Sequence, residues 1–212
     1  MIISTSRLTL RPLQRSDIDA MARWPRYPDP LDAIWNWPHT LREHGTTDMF
    51  FLARTSDHRR REWTITTTDG AVVGHLGLRD IQPGQKSARL GIGMGYPYIG
   101  IGYGSEALRA FLDAFFGPLA FARLHLDVSL HNQRALRLYQ RLGFRETGTF
   151  WYELGAAAEF AFLADPRYES LRQYLRWSVE SVCMRYAEMV LDASDWQSVE
   201  QRRPEGTRNS EQ

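Results

Sequence analysis

Three glycines at alternate positions are the clearest chemical signal in the chain. Gly100, Gly102 and Gly104 lie within Tyr98–Ala107, and a helix is predicted to begin directly after them. Glycine allows positive φ and a close approach of the backbone to a ligand. The first turn of a helix presents unpaired N–H groups and the positive end of the helix dipole, which favour a phosphate or pyrophosphate. The segment predicts an anion-binding loop, although an empty strand-to-helix turn explains this loop alone equally well.

Two other phosphate-binding motifs do not fit the loop. A P-loop requires a Lys-Ser/Thr pair after its last glycine, whereas Gly104 is followed by Ser105 and Glu106. A dinucleotide-binding fingerprint belongs to the first strand of a parallel βαβ unit. Here the loop follows strands that are predicted to form an antiparallel meander, so neither motif is supported.

The elements around the loop predict a sheet with helices packed on it. Strands precede the loop, with Asp69-Gly70 as the strongest hairpin signal and a short strand expected at Phe50–Ala53. Helical apolar spacing appears in residues 104–116 and 132–142, with an alternating strand between them. This order is typical of α/β layering. The expected fold class is α/β (α+β), with a mixed, mostly antiparallel central sheet and helices on both faces.

Composition argues against several classes of function. The 212 residues carry 26 Lys and Arg against 25 Asp and Glu, so the net charge of +1 indicates no attraction to nucleic acid or a membrane. No stretch approaches the roughly 20 apolar residues of a membrane span, and no signal peptide is expected. The single cysteine favours a reducing compartment, so a cytoplasmic location is predicted. No spacing of His, Cys and carboxylates indicates a metal site.

Three stretches, in the same order along the chain, resemble the GNAT superfamily of N-acetyltransferases. They are most similar to its branch of ribosomal-protein N-terminal acetyltransferases and their relatives. The match covers about residues 6–151. The stretches are residues 6–13 (Ser-Arg-Leu-Thr-Leu-Arg-Pro-Leu), the glycine loop, and Asn132-x-x-Ala135-x-x-Leu138-Tyr139-x-x-x-Gly143-Phe144.

The resemblance implies acetyl-CoA as the co-substrate and a primary amine, on a small molecule or a peptide, as the acceptor. It implies that Ile92 and Met94 pair with the pantetheine arm like an added strand, and that Asn132 hydrogen-bonds the same arm. The loop should hold the CoA pyrophosphate, mainly through backbone amides. The loop residues assigned to CoA binding are Ile99, Gly100, Gly102, Tyr103, Gly104 and Ser105.

The same resemblance places Tyr139 near the sulfur. In a direct attack, a neutral amine adds to the thioester carbonyl, and the oxyanion needs a donor such as a backbone N–H near Met94. The leaving thiolate needs a proton, since a free thiol has a pKa of about 8.5, and a phenol is a reasonable general acid. The structural alternative for Tyr139 is a core aromatic on an amphipathic helix.

Two departures from the family pattern concern the CoA loop and the general base, and the second leaves the base open. Ile99 stands where the signature usually has Gln or Arg, so its side chain cannot donate to phosphate. Arg89 stands where the branch often has a glutamate, and an arginine cannot act as a base. A water chain or an acid elsewhere, such as Glu153, could serve, and His75 is a further candidate. A non-catalytic CoA-binding or regulatory module is therefore the alternative function.

The remaining expectations concern the acceptor and the chain's organisation. Trp35 and Trp37 are predicted to form an aromatic wall for the substrate amine. Residues 6–196 are predicted to form one N-acetyltransferase domain, with an insertion at about 155–182 that serves as an acceptor-site lid or a dimer contact. A helix is expected to start near Pro166 within this insertion. Residues 197–212 are expected to be a disordered tail, and a homodimer is considered.

Overall fold

The computed structural model describes residues 1–202 and contains a nine-stranded sheet. The spatial order is β1-β2-β3-β4-β5-β6-β9-β7, and β8 also pairs with β9. Among these strands only β5 and β6 run parallel, which confirms the predicted mixed, mostly antiparallel sheet. The strands are β1 (Ile3–Ser4), β2 (Leu8–Pro12), β3 (Arg61–Thr67), β4 (Val72–Gln82), β5 (Ser87–Met94), β6 (Arg123–Ser129), β7 (Arg145–Ala156), β8 (Leu175–Trp177) and β9 (Ser181–Asp192).

Helices cover both faces of the sheet, as predicted. On β3, Trp63 packs edge-on against Phe111 of α4, whereas the next residue, Thr64, hydrogen-bonds Asp17 of α1. Successive strand residues point to opposite faces, so α1–α3 and α4–α6 lie on different sides, called here the α1–α3 face and the α4–α6 face. The helices are α1 (Arg15–Met21), α2 (Trp37–Glu43), α3 (Thr47–Thr55), α4 (Tyr103–Phe116), α5 (Gln133–Arg141) and α6 (Ala193–Gln201).

The main core lies on the α4–α6 face. The residues of α4 with predicted helical spacing are all buried there, against apolar side chains of β2, β3, β4 and β6. A smaller second core joins the 3-10 segments Ala157–Ala164 and Pro166–Tyr174 to β8 and β9. Leu31, from the 3-10 segment Pro30–Asn36, packs against this second core. The segment predicted as an insertion therefore contacts the chain between α1 and α2.

Three expectations about local structure need correction. Phe50–Ala53 belongs to helix α3, because a short apolar run fits a strand and a helix equally well. The turns that follow Pro166 are 3-10, and the chain then enters strand β8 instead of continuing a helix. Residues 197–201 continue α6, whose Trp196 is buried against α4, so disorder was wrongly expected there. Residues 203–212 lie outside the described part of the chain.

A buried ion pair attaches α1 to the sheet. Asp17 is 3% exposed and accepts two hydrogen bonds from Arg11 of β2, at 2.7 and 2.6 Å. The Gln14 N–H and the Thr64 hydroxyl also donate to it, at 2.8 and 2.6 Å. Burial opposes ionisation of Asp17, but these hydrogen bonds outweigh it and lower the pKa of this carboxyl below its usual value.

We expect Asp17→Asn to lower the free energy of unfolding by about 3–5 kcal/mol at pH 7, because it leaves Arg11 without its buried partner. A carboxyl with a depressed folded pKa stabilises fully above its unfolded pKa of about 3.9, and this contribution fades as the pH falls through the folded pKa. The difference between the two proteins should therefore shrink below about pH 4.

Urea denaturation between pH 3 and pH 7 measures this difference. The matched control is Asp19→Asn on the same helix, because Asp19 forms an exposed pair with Arg15 and should cost less than about 1 kcal/mol. Equal losses for both variants at pH 7 would contradict the structural role of Asp17.

Candidate active site

The parallel strands β5 and β6 separate in the middle of the sheet. Their last pair is Leu90 with Leu126. Beyond it, β5 continues to Met94 paired with β4 alone, and β6 continues to Ser129 paired with β9 alone. The opening between the two strands is called here the split.

Backbone groups of β5 face the split at every second residue. The N–H of Gly95 donates to the carbonyl of Val73 at 2.9 Å, so this residue faces β4. Because lateral direction alternates along a strand, the polar groups of Ile92 and Met94 face the other way. The Tyr27 hydroxyl supports this orientation, since it donates to the Met94 carbonyl at 2.6 Å without belonging to β4. The two residues predicted to pair with pantetheine thus present a strand edge that no strand within residues 1–202 covers.

The glycine loop connects the end of β5 to the start of α4. Gly100 and Gly102 have φ of +83° and +93°, which explains why glycine stands at both positions. Gly102 is the N-cap of α4, and its carbonyl accepts from the N–H of Ser105 and Glu106. The N–H groups of Tyr103 and Gly104, the first two helical residues, have no helical acceptor. The loop therefore offers the anion-binding geometry that its glycines predict.

Arg7 lies against this loop and was missed in the sequence. Its guanidinium pairs with Glu106 at 2.5 Å and lies over the Tyr103 ring, 4.9 Å from the centroid. A β-carbon on Gly102 would lie 3.3 Å from Arg7 Nη2. Arg7 also lines a cavity of about 380 Å³ next to the loop, together with Tyr98. Arg7 lies in residues 6–13, a stretch that resembles the family. Its contact with α4 could not be predicted, because Glu106 lies far along the chain from Arg7.

Helix α5 supplies the opposite side of the split. The Asn132 side-chain oxygen accepts from the N–H of Ala135 at 3.1 Å and caps the helix. This bond leaves the amide N–H₂ of Asn132 free to donate to another group. The predicted pantetheine contact is therefore compatible with its capping role.

Tyr139 is a core residue with a free hydroxyl. The residue is 9% exposed, and its ring packs edge-on against Phe144 at 5.6 Å. Burial raises the pKa of Tyr139 to about 12, so the phenol stays protonated at neutral pH. The Tyr139 hydroxyl has no hydrogen-bond partner within residues 1–202. Every fully buried polar side-chain atom in this part of the chain has a partner, so the hydroxyl is not fully buried and keeps contact with solvent. Both interpretations of Tyr139, core aromatic and proton donor, agree with this setting.

The two predicted substrate tryptophans lie near β4 and β5 on the α1–α3 face. Trp37 stacks on Phe50 at 4.8 Å and meets His75 edge-on at 5.3 Å. Trp35 is 38% exposed, and its ring lies 3.3 Å from the position of a β-carbon on Gly93. Trp37 is thus a packing residue beside the site, whereas Trp35 offers an open ring surface.

The candidate bases occupy different environments. Arg89 pairs with Asp127 and, at 3.5 Å, with Glu188. Burial and the charge of Arg54 lower the pKa of His75 to about 4, so this imidazole is neutral at pH 7. Glu153 is exposed on β7, which β9 separates from β6. Two strand spacings, about 10 Å, separate its strand from β6.

The segment predicted as an insertion borders the same region. Tyr168 donates its hydroxyl hydrogen to Asp29 at 2.8 Å, and Asp29 precedes the 3-10 segment that carries Trp35. Burial raises the pKa of the nearby Asp32 carboxyl. The chain between α1 and α2 is therefore held between the split and the segment 157–174.

No group of three or more His, Cys, Asp and Glu side chains suited to a metal ion occurs within residues 1–202. In the same part of the chain, every helix is too short or too polar to cross a bilayer.

Known proteins similar to this chain are acetyltransferases. An uncharacterised N-acetyltransferase of Bacillus subtilis, YycN, is 34% identical over 87 residues, which are 40% of this chain and 55% of that protein. A spermidine N(1)-acetyltransferase of Vibrio cholerae is 24% identical over 153 residues, 68% of this chain and 82% of that protein. The solved spermidine/spermine N-acetyltransferase of Vibrio cholerae, in complex with manganese ions, has a similar fold, with a TM-score of 0.60 and 19% identity over 91% of this chain and 96% of that chain.

A family model described as Acetyltransferase (GNAT) domain matches residues 7–145. The matched residues include β5, the split, the glycine loop, α4 and α5. The chain therefore belongs to the GNAT family of N-acetyltransferases.

Proposed function

We propose that this protein transfers the acetyl group of acetyl-CoA to a primary amine on a small molecule. The observation that carries the proposal is the split, a free strand edge in mid-sheet that leads directly into the amide-rich start of a helix. A pantetheine arm has amides to pair with such an edge, and a pyrophosphate suits such a helix start. Acetyl-CoA contains both.

In this proposal the donor contacts follow the geometry of the split. Ile92 and Met94 pair with the pantetheine, and Asn132 donates to it from the start of α5. Arg7 adds a positive charge beside the pyrophosphate loop. The loop residues proposed to contact the pyrophosphate or border it are Ile99, Gly100, Gly102, Tyr103, Gly104 and Ser105.

The proposed reaction is direct attack of the neutral amine on the thioester carbonyl. The N–H of Ile92, which faces the split like that of Met94, stabilises the oxyanion. Tyr139 donates a hydrogen bond to the departing sulfur. Complete proton transfer from a phenol with a pKa of about 12 to a free thiolate would run uphill, since the thiol pKa is about 8.5. The phenol therefore assists while the C–S bond breaks, and solvent completes the protonation.

The acceptor is the open part of the function. Spermidine N(1)-acetyltransferases among the relatives favour a small aliphatic amine. The resemblance to the ribosomal-protein branch favours a peptide N-terminus and stays a prediction. We propose the small amine, with Trp35 as an apolar surface along its methylene chain and Trp37 as the support behind it.

The remaining features of the proposal concern organisation. Residues 6–196 act as one acetyltransferase domain, in which residues 155–182 border the acceptor side. The cytoplasmic location and the homodimer stay predictions.

We expect thiol release from acetyl-CoA with at least one member of a panel of primary amines. The panel contains spermidine, shorter diamines, amino sugars and a peptide with a free N-terminus, and mass spectrometry identifies the acetylated product. Turnover of the peptide alone would favour the ribosomal-protein branch. Stabilisation by acetyl-CoA without turnover of any amine would favour a CoA-binding module, and no thermal stabilisation at millimolar acetyl-CoA would contradict the proposal.

We expect Arg7→Met to raise the Kd of acetyl-CoA at least about tenfold, because it removes a cation and leaves Glu106 uncompensated beside the anion site. Isothermal titration calorimetry measures the affinity. Arg23→Met, at an exposed position after α1, is the matched control and should leave the affinity unchanged. Equal affinities for both variants would remove Arg7 from the donor site.

We expect Tyr139→Phe to lower kcat at least about 100-fold while acetyl-CoA binding is retained. Because the pKa of Tyr139 is about 12, the loss should be the same at pH 7 and pH 9. Tyr152→Phe, on the distant edge strand β7, is the control for loss of a hydroxyl. Full turnover by Tyr139→Phe at every pH would leave this residue as a core aromatic.

A further inference from the structure

The α1–α3 face has an open space at the point where the split begins. Gly91 is the first residue of β5 after the last pair with β6. A β-carbon on Gly91 would have no atom within 4 Å. By strand alternation Gly91 points to the same face as Arg89 and Gly93, which is the face of the two tryptophans. A small group above Gly91 could therefore approach the split from the side opposite to α4 and α5.

One carboxylate lies next to this space. Glu62 of β3 pairs with Gly77 of β4, which pairs in turn with Gly91. A β-carbon on Gly77 would overlap Glu62 Oε2, so the carboxylate lies flat across this glycine. Gly91 is only one strand spacing, about 5 Å, further along the same row. The row thus brings a carboxylate from β3 toward the split, and the row itself has no side chain between Glu62 and Gly91.

The two oxygens of Glu62 differ in their partners. Oε1 accepts from Arg54 of α3 at 2.9 Å and lies 3.8 Å from Arg60. Oε2 has no hydrogen-bond partner within residues 1–202. Because every fully buried polar side-chain atom in this part of the chain has a partner, Oε2 is not fully buried and keeps contact with solvent. The side chain is nevertheless only 5% exposed. An ammonium group can therefore be recognised by Oε2 without breaking the ion pair at Oε1.

We propose that Glu62 is the catalytic base and that the acceptor amine is held above Gly91. The inference rests on the proposed function and deepens it, because it locates the carboxylate that is missing at position 89. It also places the primary amine of the acceptor between Gly91, the Glu62 carboxylate and the aromatic side chains near Gly93.

The proton balance of the step is complete. Glu62 Oε2 takes one proton from the ammonium group, either directly or through one water molecule. The freed nitrogen lone pair forms the C–N bond, and the nitrogen then loses its second proton to solvent. The C–S bond breaks, and the CoA sulfur leaves as thiolate and takes a proton from solvent. Glu62 also lines a cavity of about 280 Å³ with Arg54 and Arg60, through which the captured proton can return to solvent.

The other groups around the space are less suited to this task. Burial raises the pKa of Glu62, whereas Arg54 and Arg60 oppose the shift, so the carboxylate is more basic than an exposed glutamate. His75, two residues from Gly77 on the same strand face, has a pKa of about 4 and is a weak base. Asp127 is already paired with Arg79 and Arg89.

The first test fills the space above Gly91. Gly91→Ala should raise the KM of the amine at least tenfold and leave the Kd of acetyl-CoA unchanged, because the new methyl group occupies the amine position. Gly148→Ala is the matched control, since Gly148 lies on β7, also has free space at its β-carbon and also avoids positive φ. An unchanged amine KM in Gly91→Ala would overturn the location of the amine.

The second test removes the base. Glu62→Gln should lower kcat at least 100-fold and abolish the decline of kcat/KM toward acid pH that Glu62 protonation causes in the wild type. Thermal-shift measurement with acetyl-CoA shows whether the variant is folded, and Gly91→Ala tests the same site if it is not. A folded Glu62→Gln with wild-type kcat from pH 6 to pH 9 would overturn the assignment of the base.

These results separate the inference from the proposed function. A wild-type chain that acetylates no amine overturns both. Wild-type turnover with normal kinetics in the Gly91 and Glu62 variants overturns the inference alone.

Discussion

A buried backbone N–H or C=O without a partner costs about 1–3 kcal/mol, and the split removes the strand partner of several backbone groups in the middle of a nine-stranded sheet. Unpaired backbone groups normally occur on the edge strands at the rim of a sheet, where water hydrogen-bonds to them. Here the last β5–β6 pair leaves Ile92 and Met94 facing an internal opening. The arrangement is stable because β4 and β9 hold the outer sides of the two diverging strands. Binding of an extended, amide-bearing molecule is the natural completion of such a sheet.

Three carboxylates on the elements around this opening differ in how arginine side chains hold them. Asp17 and Glu106 are each held by an arginine from β2 or the residue before it, and each has a depressed pKa. Such carboxylates stabilise the fold and have little tendency to accept protons. Glu62 differs because its arginines occupy only one of its oxygens, and its pKa is raised. The contrast between Glu62 and Glu106 arises from packing, since both are glutamates with an arginine beside them.

The sequence predicted the parts of the molecule that depend on local rules. The positive φ of Gly100 and Gly102 requires glycine, so the loop is visible in the sequence, and the sheet class follows from strand and helix periodicity. Helix α3 was mistaken for a strand because four apolar residues carry no period. Arg7 and Glu62 escaped notice for another reason. Each acquires its meaning from a contact across strands or with a helix, and no spacing along the chain encodes that contact.

The hydrogen bond from Tyr27 to the carbonyl of Met94 joins the proposed acceptor side to the proposed donor side. Tyr27 lies on the chain that leads to Trp35, whereas Met94 belongs to the strand edge proposed for the donor. A pantetheine arm that uses this carbonyl must share it with the phenol or displace the phenol. Displacement of Tyr27 would release the chain that carries Trp35 only after acetyl-CoA has bound. If the proposed donor displaces Tyr27, acetyl-CoA binds before the amine. The carbonyl oxygen of Met94 then sets the order of substrate addition.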